Sequence, residues 1–201
     1  MSRSLLRLKF TPLFLIVLLV ANGYFGSLTG VLDLPDLESW GVSLDSLQRG
    51  EWFRLITGTY LSHDGQMVLR QLAFAGVVLG WYEWHRSAVR TALMFLFLDI
   101  TGTLFLMFGL VWGLADFGPP AFGQIEFQFD VGMSAGGFGL LGASLRRLRL
   151  GWVLLGVGMA LLLAKLIVYP DVIADLAHIV MLPFGFLIEH LVDRNTRVGP
   201  K

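Results

Sequence analysis

The 201-residue chain is 55% hydrophobic with a mean hydropathy of +0.70, values that place it among integral membrane proteins. Lys plus Arg and Asp plus Glu each number 15, so no excess of either sign points to nucleic acid or to an anionic partner. With no cysteine, disulfides, thiolate metal sites and a cysteine nucleophile are excluded. His and carboxylate ligation stays open without a motif behind it, and neither a metal nor a cofactor is expected.

At about 1.5 Å per helical residue, a hydrocarbon layer of roughly 30 Å calls for a long apolar helix. Apolar stretches fall at about Leu13–Phe25, Met67–Trp84, Val89–Leu114, Val131–Leu145, Trp152–Tyr169 and Val172–Leu191. They predict an all-α integral membrane protein with six spans. The first is short unless it starts back near Leu5, and the fourth is short and Gly-rich. No repeat or soluble domain interrupts them, so 1–201 reads as a single membrane domain.

Charge along the chain sets an orientation. Arg3, Arg7 and Lys9, then Arg86 and Arg90, then Arg146, Arg147 and Arg149, then Arg194, Arg197 and Lys201 make every second connection basic. The alternate connections hold Asp33, Asp36, Glu38, Asp45 and Glu51, then Asp116, Glu126 and Asp130, then Asp171 and Asp175. By the positive-inside rule both termini are cytoplasmic, which requires an even number of spans. The N-terminus also has signal-peptide features, with basic residues, an apolar run and small residues near Ala21-Asn22-Gly23. It is read as a retained span; cleavage would leave five.

The outer loop, about 26–62, contains Leu32, Leu34, Leu37, Trp40, Val42, Leu44, Leu47, Trp52 and Phe53. That much apolar surface predicts a folded segment at the membrane interface, with Trp40 and Trp52 at headgroup level.

Two polar residues stand out within the spans. Ser134 heads the fourth, in Gly132-Met133-Ser134-Ala135-Gly136, and His178 lies in the sixth, in Ala174-Asp175-Leu176-Ala177-His178. Both spans run inward, so Ser134 sits about one turn, and His178 roughly 10 Å, below the outer surface. An ionisable group inside a span calls for a functional role and a partner. Serine is a weak nucleophile without an adjacent base, and a neutral imidazole is the common one. Two plainer readings remain open: Ser134 as one more small residue in the rows Gly132/Gly136, Ala135/Gly139 and Gly139/Ala143, which let a helix approach closely, and His178 as a packing residue.

The segment Gly132-Met133-Ser134-Ala135-Gly136-Gly137-Phe138-Gly139-Leu140 resembles the nucleophile segment of the rhomboid intramembrane serine proteases. Ala177-His178 is similar to their last-span Ala-His. Trp52-Phe53-Arg54-Leu55-Ile56-Thr57, His63 and Gly80-Trp81-Tyr82-Glu83 add agreement, in order, from about Gly50 to Glu189. The resemblance implies a six-transmembrane-helix rhomboid-like bundle, a catalytic Ser134–His178 dyad, single-span transmembrane proteins as substrates and a bacterial inner membrane as location. Asp175, one turn before His178, equally suits an interfacial acid and stays outside the expected dyad.

The departures concern the oxyanion side. Where many rhomboids have His-x-x-x-Asn, this chain has Met67-Val68-Leu69-Arg70-Gln71. Met67 cannot donate, whereas Gln71 retains a carboxamide that could serve the oxyanion beside the Ser134 N–H. Arg70 must snorkel, pair with an acid or face the cavity. The glycines expected just after the histidine are replaced by Val180 and Met181, which leaves Gly132, Gly136 and Ala177 to pack the fourth span on the sixth.

Among other polar residues, Asp99 reads as a hydrogen-bonded structural carboxyl or as a proton relay, Lys165 as a snorkelling cation, and His63 as interfacial or lining a cavity mouth. Glu83 either organises its end of the second span or pairs with Arg86 or Arg90. Two rivals to a protease follow: an inactive rhomboid-like protein that binds transmembrane helices, and a small transporter using Asp99, Arg70 and Lys165.

Overall fold

A computed structural model describes residues 8–119, 122 and 124–197. Arg3, Arg7 and Lys201, part of the charge pattern above, lie outside the described residues. The described chain is all-helical, with two isolated bridges, Val31 to Asp64 and Val42 to Asp130, in place of any sheet. Three of its helical stretches are long and apolar enough to cross a membrane: Ala88–Phe117, Gly151–Val168 and Val172–Arg194. A shorter apolar helix, α1, covers Phe10–Tyr24.

The start of α1 is set by tertiary contacts, since Lys9 offers no side-chain cap. Glu83, near the end of α5 (Gly65–His85), accepts from the N–H groups of Lys9, Phe10 and Thr11 at 2.6, 2.9 and 2.8 Å and from the Thr11 hydroxyl at 2.7 Å. These are the donors that a helix start leaves unsatisfied, and they mark the start of α1 at Phe10; Leu5, the alternative start read from the sequence, lies outside the described residues. Glu83 is thus a cap for a neighbouring helix and does not pair with Arg86 or Arg90. Those arginines instead converge with Arg147 on the fully buried Glu189, which also accepts from Tyr82 Oη at 2.8 Å.

The loop between α1 and α5 is folded, as expected from its apolar content. It forms α2 (Leu34–Trp40), α3 (Leu44–Gln48) and α4 (Arg54–Thr57), followed by one 3₁₀ turn at Gly58–Tyr60. Ser43 and Ser46 close a capping box at the head of α3. Val42, Leu44, Leu47 and Leu55 pack on Leu106, Met107 and Val111. Those three lie in a π-helical stretch linking α6 (Ala88–Phe105) to α7 (Trp112–Phe117). Arg54 is buried and joins the loop to itself, donating to the Gly41 carbonyl at 2.9 Å and to that of Glu38 while pairing with Glu51.

At the centre lies α8 (Ser134–Arg146), packed among α5, α6, α9 (Gly151–Val168) and α10 (Val172–Arg197). Most of its residues are buried, including Ala135, Leu140 and Ala143, whereas α9 is almost wholly exposed. The tightest approach of α8 to α10 is not where the sequence placed it. A Cβ on Gly142 would fall on the Leu182 carbonyl, and one on Gly185 would fall on the Gly139 carbonyl, so these positions form the contact. Gly132 and Gly136 face other neighbours: the Met67 and Gln71 side chains for Gly132, Asp99 and Phe95 for Gly136.

Candidate active site

The approach to Ser134 is an extended segment clamped to the loop. Asp130 exchanges backbone hydrogen bonds with Val42 at 2.8 and 2.9 Å, and Gly132 N–H donates to the Gly58 carbonyl at 2.8 Å. Gly132 then turns at φ +118°, a conformation that a side chain resists. A Cβ there would also lie 2.6 Å from Gln71 Nε2 and 2.8 Å from Met67 Cε. The turn delivers Ser134 as the first residue of α8.

Two of the first N–H groups of α8 have acceptors. Gly137 N–H donates to the Met133 carbonyl at 2.9 Å, and Gly136 N–H donates to Asp99 Oδ1 at 2.8 Å. Among the described residues, the N–H groups of Ser134 and Ala135 have none. Unsatisfied donors at a helix start, with the positive end of its dipole, favour negative charge.

Ser134, half-buried, lines a cavity of about 590 Å³ together with His178 of α10 and Gln71, Met67 and Arg70 of α5. The structure thus brings together every residue that the sequence singled out for the dyad and the oxyanion side. The imidazole of His178 lies on the ring of Phe138, centroids 4.0 Å apart and planes inclined by 18°. Its Nε2 is buried and has no hydrogen-bond partner among the described residues. No hydrogen bond joins it to Ser134; such bonds commonly tighten only when substrate is bound.

Gln71 is buried, its Oε1 accepting from Ser62 Oγ at 3.2 Å and its Nε2 donating to the Leu61 carbonyl at 3.4 Å. One amide hydrogen occupies that long bond and the other remains, beside Gly132. Met67 fills the adjoining space, and its sulfur accepts the His63 N–H at 3.3 Å. His63 lines the same cavity. Arg70 is exposed at the cavity and makes no ion pair among the described residues, so of its three options pairing is not used.

Lys165, expected to snorkel, also has a partner: it reaches across from α9 to pair with the buried Asp175 at 2.7 Å. The other oxygen of Asp175 accepts the Asp171 N–H at 2.8 Å, so this carboxylate serves the head of α10 and is not the orienting partner of His178. Asp99 is buried and takes the structural option, holding Thr59 Oγ1 at 2.6 Å as well as Gly136.

Asp130 lines the cavity edge outside the helices. Desolvation pushes its carboxyl up from 3.8 to about 6, against the Val131 N–H and the charge of His63, which lower it, while Asp171 adds to the rise. No group of three or more His, Asp or Glu side chains able to hold a metal ion occurs among the described residues.

The sequence patterns did not single out Gly58 and Thr59. The motif Trp52-Phe53-Arg54-Leu55-Ile56-Thr57 stops short of Thr59, and the partner of Thr59, Asp99, is 40 residues away. No protein-family model matches the chain, and no curated protein matches its sequence.

Proposed function

We propose that the chain is a rhomboid-type intramembrane serine endopeptidase that cleaves single-span membrane proteins near the outer face of a bacterial inner membrane. In this reading α1, α5, the α6–α7 stretch, α8, α9 and α10 are six spans with both termini cytoplasmic. The observation supporting it is the shared cavity, in which a serine at a helix N-terminus, a histidine with an unsatisfied nitrogen and a carboxamide meet.

Each step balances with these groups and one water molecule. Ser134 Oγ attacks the scissile carbonyl carbon while His178 Nε2 takes the hydroxyl proton, giving a tetrahedral oxyanion. The Ser134 N–H, with the remaining Gln71 N–H, receives that charge, the kind of preorganised donor set that stabilises such intermediates. Collapse breaks the C–N bond, and the proton on His178 passes to the leaving amine. Water, deprotonated by His178, then attacks the acyl ester, and Ser134 regains its proton.

The test is covalent labelling of purified protein by a fluorophosphonate together with cleavage of a helical membrane substrate. Both are expected with the native chain, and both are expected to vanish in Ser134→Ala and His178→Ala. Absence of both in the native chain sinks the reading.

A second reading, a helix-binding protein without activity, draws on Met67, which leaves one oxyanion donor fewer, and on the missing hydrogen bond between Ser134 and His178. Met67→His with Gln71→Asn separates the two: activity appearing only in the double variant favours the binding protein. A transporter lacks support, because Asp99 is capped between Thr59 and Gly136 and Lys165 is paired with Asp175.

A further inference from the structure

We infer that Asp99, with Gly58 and Thr59, positions Ser134 by bracketing it on both sides. This rests on the protease reading for its kinetic consequence, though not for its structural one.

The bracket is a closed circuit of hydrogen bonds. Two residues before Ser134, Gly132 N–H donates to the Gly58 carbonyl at 2.8 Å. Two residues after it, Gly136 N–H donates to Asp99 Oδ1 at 2.8 Å. The other oxygen of Asp99 lies 2.6 Å from Thr59 Oγ1, and Thr59 follows Gly58 directly in the chain. The turn that presents Ser134 is therefore tied at both ends to one short segment of the loop, through a carboxyl from α6.

Burial keeps water from competing for these bonds, since Thr59 is 5% and Asp99 2% exposed. Gly136 permits the approach: a Cβ there would come within 2.7 Å of Asp99 Cβ and 2.8 Å of Phe95 Cε2. By occupying the Gly136 N–H, Asp99 also leaves the free donors of α8 at Ser134 and Ala135, where the oxyanion would form. Asp99 does not line the cavity, so it acts on Ser134 through the backbone and not on the substrate.

The bonding pattern defines a conservative replacement. Thr59 Oγ1 also lies 2.9 Å from the Leu55 carbonyl. A carboxamide in place of Asp99 can accept from Gly136 N–H and donate to the Thr59 oxygen, whose own hydrogen then goes to Leu55. Asn is therefore the rescuing residue, whereas Leu keeps the size and loses every bond.

The experiment compares Asp99→Asn, Asp99→Leu and Thr59→Val in the full chain, with active sites titrated by fluorophosphonate. Asp99→Asn is expected to stay within about 3-fold of the native kcat. Asp99→Leu is expected to lose about 10²-fold in kcat per titrated site with KM unchanged, as a displacement near 1 Å would produce. Thr59→Val, which opens the bracket without touching α6, is expected to lose about 10-fold in the same way; it decides the matter if Asp99→Leu does not fold. Amide hydrogen exchange over residues 132–137 is a readout independent of turnover, expected to quicken in Leu and Val variants and not in Asn. Native kcat and native exchange in folded Asp99→Leu or Thr59→Val overturn the bracket, as does an Asn variant as impaired as the Leu one. If the native chain neither labels nor cleaves, the protease reading fails, and exchange alone still tests the bracket.

Discussion

The ring of His178 is stacked on that of Phe138, 18° from parallel and 4.0 Å between centroids. Phe138 is one turn beyond Ser134 on α8, so the helix that presents the serine also supplies the surface on which the histidine rests. Replacing Phe138 by Leu removes that flat support and frees the His178 ring to leave its stacked position. A fall of about 10-fold in kcat/KM, roughly 1.4 kcal/mol of transition-state stabilisation, is expected, with Phe138→Tyr close to native. Rates of fluorophosphonate labelling measure it without needing the natural substrate.

In the protease reading, Gln71 is the side chain that would help the Ser134 N–H hold an oxyanion. Gln71→Leu preserves much of its volume while removing the donor. Loss of one such donor costs about 10²–10³ in kcat, and KM should change little. Steady-state cleavage of a helical substrate in detergent or vesicles checks this, and an unchanged kcat removes Gln71 from the oxyanion side.

Gly185 permits the backbone contact between α8 and α10, because a Cβ would lie 1.8 Å from the Gly139 carbonyl oxygen. Gly185→Ala should separate the two helices that hold Ser134 and His178. A loss of stability of more than about 3 kcal/mol is expected, in the range of severe overpacking. Thermal unfolding in detergent reads the stability, with Gly156→Ala as a control, since nothing lies within 4 Å of that position.

Asp130 gives the fold a pH dependence with a definite sign. Its folded value, about 6, lies above the ordinary 3.8, so folding favours the protonated form. The resulting stability is fully present below 3.8 and is lost as pH rises through about 6. Asp130→Asn should therefore raise the Tm at neutral pH, leave it unchanged near the acid end of the window, and flatten its slope between. A native-like slope in the variant refutes the assignment.

Much of the architecture is visible in the residue pattern because apolar runs and charge alternation are local properties. The long apolar stretches became α6 with α7, α9 and α10, and Ser134, His178 and Gln71 do meet in one cavity. Boundaries moved where a remote group acted. Glu83 starts α1 at Phe10, and the positive φ of Gly132 delays α8 to Ser134 from the expected Val131. Lys165 appeared to be a lone cation because Asp175, its partner, comes from another helix.

The order of residues alone was enough to expect an all-helical membrane protein with Ser134 and His178 at similar depth, since hydropathy and helical rise are read along one dimension. Which glycines touch, which carboxyl caps which helix, and how Ser134 is held between Gly132 and Gly136 depended on the packed chain. Those contacts join residues tens of positions apart, and a hydrogen bond forms only where donor and acceptor are brought within about 3 Å. Only the fold brings Thr59, Asp99 and Gly136 to that distance.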